Sequence, residues 1–466
     1  MLLALLPMLL AGTTWAQPTP SQDPQGVWLD FREPDKAHGL VLAGGSLPAQ
    51  RAFSASGMPS QKMTTIQGVP CVQTDPGNDA LSLAFEASSE MILPDRDTLT
   101  FEVEVFDNGQ FPVYLQFESA IATMPGAYYT RGAPVVRRKG TESWRKFYWQ
   151  VTDDAFADVS RDGIRFQLFD EGWWGDRILS VASVRVTHEA IPIRPEAWAV
   201  PCTTELPVTL EPSGPDGKPL PDGTELKLAY RPGFAFVDPP ASVKVADGKA
   251  SIRLKTGPAP MTAWIMAMAP GAKRWVGEAV HILESPGPLE VRDDLVLADS
   301  FLGKAHFLAQ EVAESTIEGV TDGNGQPTLR GRFSCKPEGP TKDIKLVLEI
   351  PIAGLPQSLT VFAGSPEGSV NGLWAHIVDA TGEIFPYQLN PRVGKSLDTY
   401  AELTLDARGY HEGISYGTPK ADGVIDLPCK FQCLLVTPLE GQEGAAEVQV
   451  WGVEVRVLAP PLGGQP

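Results

Sequence analysis

Six polar and aromatic side chains in the N-terminal part of the chain occupy alternate positions of three apolar runs. In Val113-Tyr-Leu-Gln-Phe117 the apolar set takes one face, leaving Tyr114 and Gln116 on the other. Phe147-Tyr-Trp-Gln-Val151 leaves Tyr148 and Gln150, and Ile164-Arg-Phe-Gln-Leu168 leaves Arg165 and Gln167. If one sheet holds all three strands, its solvent face carries two tyrosines, three glutamines and an arginine. Aromatic rings stack on the C–H faces of sugars, while amides and guanidinium groups meet hydroxyls, so the chemistry such a face supports is carbohydrate binding. The plainer alternative is a polar outer face spread over different sheets. Trp173 and Trp174, in the loop-like Gly172-Trp-Trp-Gly175, add either a sugar platform or a plug at the end of a sandwich. Tyr128-Tyr129 before Arg131 reads the same two ways, and Trp144 and Trp149 read as core. The expected ligand-binding set is therefore Tyr114, Gln116, Tyr148, Gln150, Arg165, Gln167, Trp173 and Trp174.

Catalytic chemistry has one point of entry. Glu102-Val-Glu-Val-Phe-Asp107 sets Glu102 and Glu104 on one strand face, and paired carboxylates about 5.5 Å apart perform retaining glycoside hydrolysis. Asp107, however, heads a turn with Asn108-Gly109, and a solvated strand face is the ordinary reading. No Gly-x-Ser-x-Gly elbow, His-Glu-x-x-His pair or phosphate-binding Gly-Lys-Ser/Thr loop is expected. The six histidines form no triad spacing. The expectation is a protein that is not an enzyme and has no resident cofactor. A structural calcium is left open at Asp322-Gly-Asn324 or at Asp422 and Asp426, where oxygen donors are spaced for a hard cation.

These residues need strands to hold them, and the chain is built for strands. Period-two alternation dominates, punctuated by 45 glycines and 43 prolines. Leu99, Phe101, Val103 and Val105 share one face, as do Ile344, Leu346, Leu348 and Ile350. Val448 and Val450 are out of phase with Val453, Val455 and Val457, which predicts a bulge at Gly452. Helical periodicity is confined to a short window, Lys304 to Ser315. Pro-bearing stretches at His188–Pro201 and Glu284–Leu289 divide 466 residues into pieces suited to one sandwich each. The expected fold class is all-β, three β-sandwich domains in tandem. Two jelly rolls, 17–190 and 290–460, flank an immunoglobulin-like sandwich at 200–284.

Leu2 to Leu10 is apolar apart from Pro7, and Thr14-Trp15-Ala16 follows, so residues 1–16 read as an export signal. No stretch reaches the roughly 20 apolar residues that cross a bilayer, so no membrane insertion is expected. A secreted, periplasmic or cell-surface location follows. The net charge of −19 repels phosphate backbones and argues against nucleic acid. Anionic polysaccharides would need a local basic patch, whereas neutral glycans carry no such penalty. Five cysteines do not make a disulfide scaffold. Cys429 and Cys433 point the same way along a strand and are too far apart to bridge each other. Cys335 could pair with one of them, or all are buried thiols.

Three stretches carry family resemblances. Leu206-Pro-Val-Thr-Leu210, Pro215 to Gly223, Leu226 to Tyr230 and Ala246 to Leu254 resemble the bacterial Ig-like domains of invasin- and intimin-type surface proteins. Asp216-Gly217 and Asp247-Gly248 supply tight turns there. Ser143 to Val151, Asp154 to Phe156, Gly163 to Leu168 and Ile178 to Val186 resemble galactose-binding-like jelly rolls that serve as carbohydrate-binding modules. Gly372 to Glu383, Ala421 to Pro428 and the final strand 447–457 resemble the same class. The resemblance implies a polysaccharide or glycan partner for the outer domains and a spacer role for the middle one. The competing expectation is a structural or adhesive surface protein that uses its sandwiches only as spacers, with a glycoside hydrolase or polysaccharide lyase behind it.

Overall fold

The structure is a computed structural model. It describes residues 26–42, 62–74, 82–87, 97–109, 112–118, 129–131, 136–152, 164–170, 178–272, 274–284, 287–308, 312–321, 325–335, 344–365, 370–389, 400–405, 408–409, 415, 417–418, 422–438 and 446–461. The chain is all-β. The helical segments among these residues are the single turns Pro34–Lys36 and Ala298–Phe301. Six sheets fall into three pairs, each contiguous in sequence and each closing on its own apolar core.

The first pair is built from β1 (Val27–Asp30), β2 (Leu40–Leu42), β3 (Lys62–Ile66), β4 (Val69–Gln73), β5 (Ser82–Ala87) and β6 (Thr98–Phe106). It continues with β7 (Pro112–Glu118), β8 (Tyr129–Arg131), β9 (Val136–Arg137), β10 (Trp144–Thr152), β11 (Ile164–Asp170) and β12 (Ser180–Thr187). Its first sheet runs β10-β6-β12-β4-β3, with β1 continuing beyond β4 along the free edge of β12. The second runs β2-β5-β11-β7-β8, with β9 also on β7. Alternation sorts the residues as expected. Leu99, Phe101, Val103 and Val105 face Leu83, Phe85, Leu115, Phe117 and Phe166 across the core, leaving Glu102 and Glu104 outside. Trp149 is fully buried, but Trp144 is not core. It lies on the outer side, packed on Phe106, with its indole N–H reaching the carbonyl of Ile66 at 3.4 Å.

In the middle pair, Asp247 and Gly248 both adopt positive φ, 51° and 74°. They close the hairpin in which Ala246 and Lys249 exchange both backbone hydrogen bonds, the geometry that favours Asp-Gly at a two-residue turn. The connector before this pair belongs to it. Ile193–Pro195 pairs with Glu205–Leu210, and Ala199–Pro201 pairs in parallel with Val276–Leu283. The prolines sit on sheet edges, where a missing N–H costs least.

The third pair carries the bulge that Gly452 predicts. Phe362 stands opposite Gly452 and Ala363 opposite Val450, so Trp451 is the extra residue, and Val448, Val450, Val453, Val455 and Val457 all reach the core. Helical spacing in 304–315 yields no helix: strands His306–Phe307 and Val312–Thr321 occupy its described part. Cys71, Cys202, Cys429 and Cys433 are buried free thiols, so no bridge reaches Cys429 or Cys433. Burial, then the nearby Asp379, pushes the Cys429 thiol up to about 12, so it behaves as a small apolar side chain.

The three pairs touch. Leu283 and Ala199 of the middle pair cluster with Leu355 and Leu458 of the third. A ring nitrogen of His281 lies 2.8 Å from the carbonyl of Arg408, and the other 3.2 Å from Thr262 Oγ1. Arg194 ties the connector to the first pair through Asp97 at 2.6 Å. The first and third pairs meet where Tyr114 donates to the carbonyl of Ser415.

Candidate functional site

The polar set expected on one face is divided between two sheets. Tyr114, Gln116, Arg165 and Gln167 lie on neighbouring strands β7 and β11 of the second sheet, whereas Tyr148 and Gln150 lie on β10 at the edge of the first. Alternation specifies in or out, but not which sheet a strand joins, and the single sugar face fails on that point. Tyr114 is only 1% exposed, and its hydroxyl donates to the carbonyl of Ser415 at 3.2 Å. Gln167 is 2% exposed and donates to Gln116 Oε1 at 2.5 Å. At Tyr114 this outer face therefore meets the third pair. Gln150 is a clamp: its amide donates to the carbonyl of Ile191 and accepts from the Ile191 N–H, holding the connector down. Arg165 stands opposite Glu86 in the backbone register. Its side chain, together with Trp173, Trp174 and Tyr128, lies outside the described residues.

A different set converges on the outer face of the first sheet. Tyr148 on β10 is opposite Glu102 on β6, Glu102 is opposite Arg185 on β12, and Arg185 is opposite Trp28 on β1. Three strand spacings of about 4.8 Å make this row roughly 14 Å long. A second row runs beside it through Lys146, Glu104, Ser183 and Asp30. The side chains between the aromatic ends are polar and half-exposed. Lys146 Nζ reaches Glu102 Oε1 at 2.5 Å, and Arg32 pairs with both Glu104 and Asp30.

Each end of the row is an aromatic ring beside a cation. Trp28 stacks on His38 with ring centroids 4.2 Å apart, and the Arg185 guanidinium lies 6.0 Å from the Trp28 ring. Paired backbone hydrogen bonds between Trp28 and His38 fix that stack, and His38 Nε2 is buried without a hydrogen-bond partner among the described residues. At the other end Arg274, which lies between the strands Met261–Met268 and Val276–Leu283 of the middle pair, is over the Tyr148 ring at 4.5 Å. Burial, then the Glu102 carboxylate, raises the Tyr148 phenol above its usual range. Burial holds Arg274 below its usual value, against the pull of Glu189, Tyr148 and Glu102.

The remaining chemical candidates lie elsewhere in the fold. Asp107 is fully buried and accepts from the N–H groups of Lys139 and Gly140, Thr141 Oγ1 and Arg145 Nη1, all within 3.0 Å. Burial pushes this carboxyl up, but those donors outweigh it and hold it at about 2. Asp107 is thus a turn anchor, and Glu102 and Glu104 lie on an open sheet face. Asp422 and Asp426 belong to a carboxylate cluster with Asp379 and Glu383. Glu383 accepts from the N–H groups of Asp422 and Gly423, and Asp379 accepts from those of Thr381, Glu383 and Asp426. Burial, then the neighbouring Glu383, pushes Asp422 up to about 7. Among the described residues no group of three or more His, Cys, Asp or Glu side chains is disposed to hold a metal ion. Asp322 and Asn324 lie outside the described residues.

One serine motif escaped the reading of the chain. Gly413-Ile-Ser415-Tyr-Gly417 matches Gly-x-Ser-x-Gly, whose nucleophile needs an exposed hydroxyl on a strand-to-helix turn. Ser415 is 2% exposed, with its carbonyl spent on Tyr114, so it lacks that setting. The outer-face row was also missed. Val27-Trp28-Leu29-Asp30 and Val184-Arg185-Val186 carry the right alternation, but nothing local says that β1 and β12 are neighbours. In the described residues no helix is long and apolar enough to cross a membrane.

No protein-family model matches the chain, and no curated protein matches it. Among solved structures, the D0-D1 domain of intimin is 13% identical, covering 46% of this chain and 84% of that one at a TM-score of 0.20. A family 11 carbohydrate-binding module of Clostridium thermocellum Lic26A-Cel5E is 11% identical, with 38% and 93% coverage and a TM-score of 0.23. The tandem CBM22 domains of Paenibacillus barcinonensis Xyn10C are 10% identical, with 92% and 97% coverage and a TM-score of 0.22. At these scores the site stands on its own residues.

Proposed function

We propose that this is an exported, non-catalytic carbohydrate-binding protein of three sandwich domains, and that it holds its glycan along the Tyr148–Glu102–Arg185–Trp28 row. The observation that carries this reading is the row itself. Four strands set two aromatic rings at the ends of a half-exposed polar strip, with carboxylate, guanidinium, ammonium and hydroxyl groups between them. Apolar ring surface beside densely spaced hydrogen-bonding groups is what a sugar requires, since each pyranose offers an apolar C–H face and a rim of hydroxyls. No metal or cofactor is needed for it.

Glycan-array screening of the full chain, followed by calorimetry on the hits and a reducing-sugar release assay, tests the reading. Binding without sugar release is expected. Trp28→Ala and Glu102→Gln should each weaken binding by about tenfold, equivalent to one or two lost contacts. Thermal melts of both variants guard against misfolding. The proposal falls if no glycan binds, if sugar is released, or if both folded variants bind as the parent does.

A further inference from the structure

Arg274 is a cation in this site that no close ion pair holds: the Glu189 and Glu102 carboxylates favour its charge without an ion-pair contact among the described residues. It makes no ion pair or hydrogen bond among the described residues, only the ring contact with Tyr148 at 4.5 Å. Arg32 and Lys146 differ: Arg32 is held by Asp30 and Glu104, and Lys146 by Glu102. Arg274 is half-buried at the seam between the first and middle sheet pairs, where its charge has lost part of its water. A guanidinium has five N–H donors in a planar fork, and a ring beneath it satisfies none of them. Such a group is costly to hold unless something of opposite charge visits it.

The surroundings point the same way. The chain as a whole carries −19, yet around this strip Arg32, Lys146, Arg185 and Arg274 balance Asp30, Glu102, Glu104 and Glu189. A strip balanced in charge repels an anionic sugar less than the rest of so acidic a chain. A planar fork accepts a carboxylate or sulfate through two parallel hydrogen bonds.

We infer that the strip takes a glycan bearing an anionic group, a carboxylate or a sulfate, and that Arg274 receives that group at the Tyr148 end. The inference rests on the glycan-binding reading above and adds the charge of the ligand. It also gives the middle pair a part in recognition, because that pair supplies the receiving group.

Calorimetry on the full chain tests this with four probes: a galacturonic acid oligomer, its methyl-esterified form, a sulfated galactan and the unsulfated galactan. At least one charged probe should bind about tenfold more tightly than its uncharged partner, and the gap should narrow as salt is raised to about 0.15 M and beyond. Whichever pair shows the gap identifies the group as carboxylate or sulfate. Arg274→Gln should abolish the gap between charged and uncharged partners, and Arg274→Lys, which keeps the charge, should retain most of it. Equal binding of charged and uncharged probes overturns the inference and leaves glycan binding standing. Equal losses in the Gln and Lys variants also overturn it, because the side chain's seating rather than its charge would then matter. Failure of all glycans to bind removes the underlying reading as well.

Discussion

Asp107 shows how a side chain that looks chemical along the sequence can be wholly structural. Beside Glu102 and Glu104 it completes a run of carboxylates, yet four donors consume its oxygens, and the 107–109 and 138–143 segments fold around it. Its folded pKa of about 2 lies below the roughly 3.9 of an unfolded aspartate. A depressed carboxyl contributes stability that is fully present above the unfolded value and is lost as pH falls toward the folded one. Acid destabilisation between about pH 4 and pH 2 should therefore shrink in Asp107→Asn. The same variant should lose about 2 kcal/mol at neutral pH, because an amide accepts from four donors less well and leaves Arg145 unpaired. Denaturant melts at the two pH values check both statements. A pH-independent loss would mean that charge plays no part.

Among the elements, the C-terminal strand is the clearest case of sequence dictating structure. Two valine phases meet at Gly452, and only an extra residue lets both face one core. Deleting Trp451 removes that residue and turns Val448 and Val450 outward while driving Glu447 and Gln449 in. Two exposed valines and two polar groups without matched partners amount to a loss on the order of 5 kcal/mol. The third pair should then fail to fold while the first two persist. Near-ultraviolet circular dichroism and limited proteolysis would reveal this, and a fully folded deletion variant would refute the bulge. The hairpin at Asp247-Gly248 is legible for a similar reason, since positive φ at two successive positions is cheap for Asp-Gly and costly for most other pairs. The same alternation in β7, β10 and β11 placed the described side chains on their correct side and still misled, because it carries no information about partner strands.

For the whole molecule, the contacts among the three sheet pairs matter most. The outer face that Tyr114, Gln116 and Gln167 share is covered, and the Tyr114 hydroxyl reaches a carbonyl more than three hundred residues away in sequence. Tyr114→Phe removes the hydrogen bond to Ser415 and should cost about 1 kcal/mol, felt as weaker coupling between the first and third pairs. Hydrogen exchange around residues 112–118 and 415–418 should rise in the variant and stay unchanged in the middle pair. Unchanged exchange at both places would show that the contact adds nothing to docking. Much of the architecture was readable in the chain: an all-β class, the bulge, the tight turns, the alternation of core and surface, and the position of Asp107 at a turn. These are local properties, set by side-chain period and by which residues tolerate each backbone conformation. The functional face was not readable. A strand's neighbours are chosen by closing the core and by docking one sheet pair on another, over separations that no local pattern spans. That choice buried Tyr114 and Gln167, spent Gln150 on the connector, and brought Trp28, Glu102, Arg185, Tyr148 and Arg274 together from five segments of the chain.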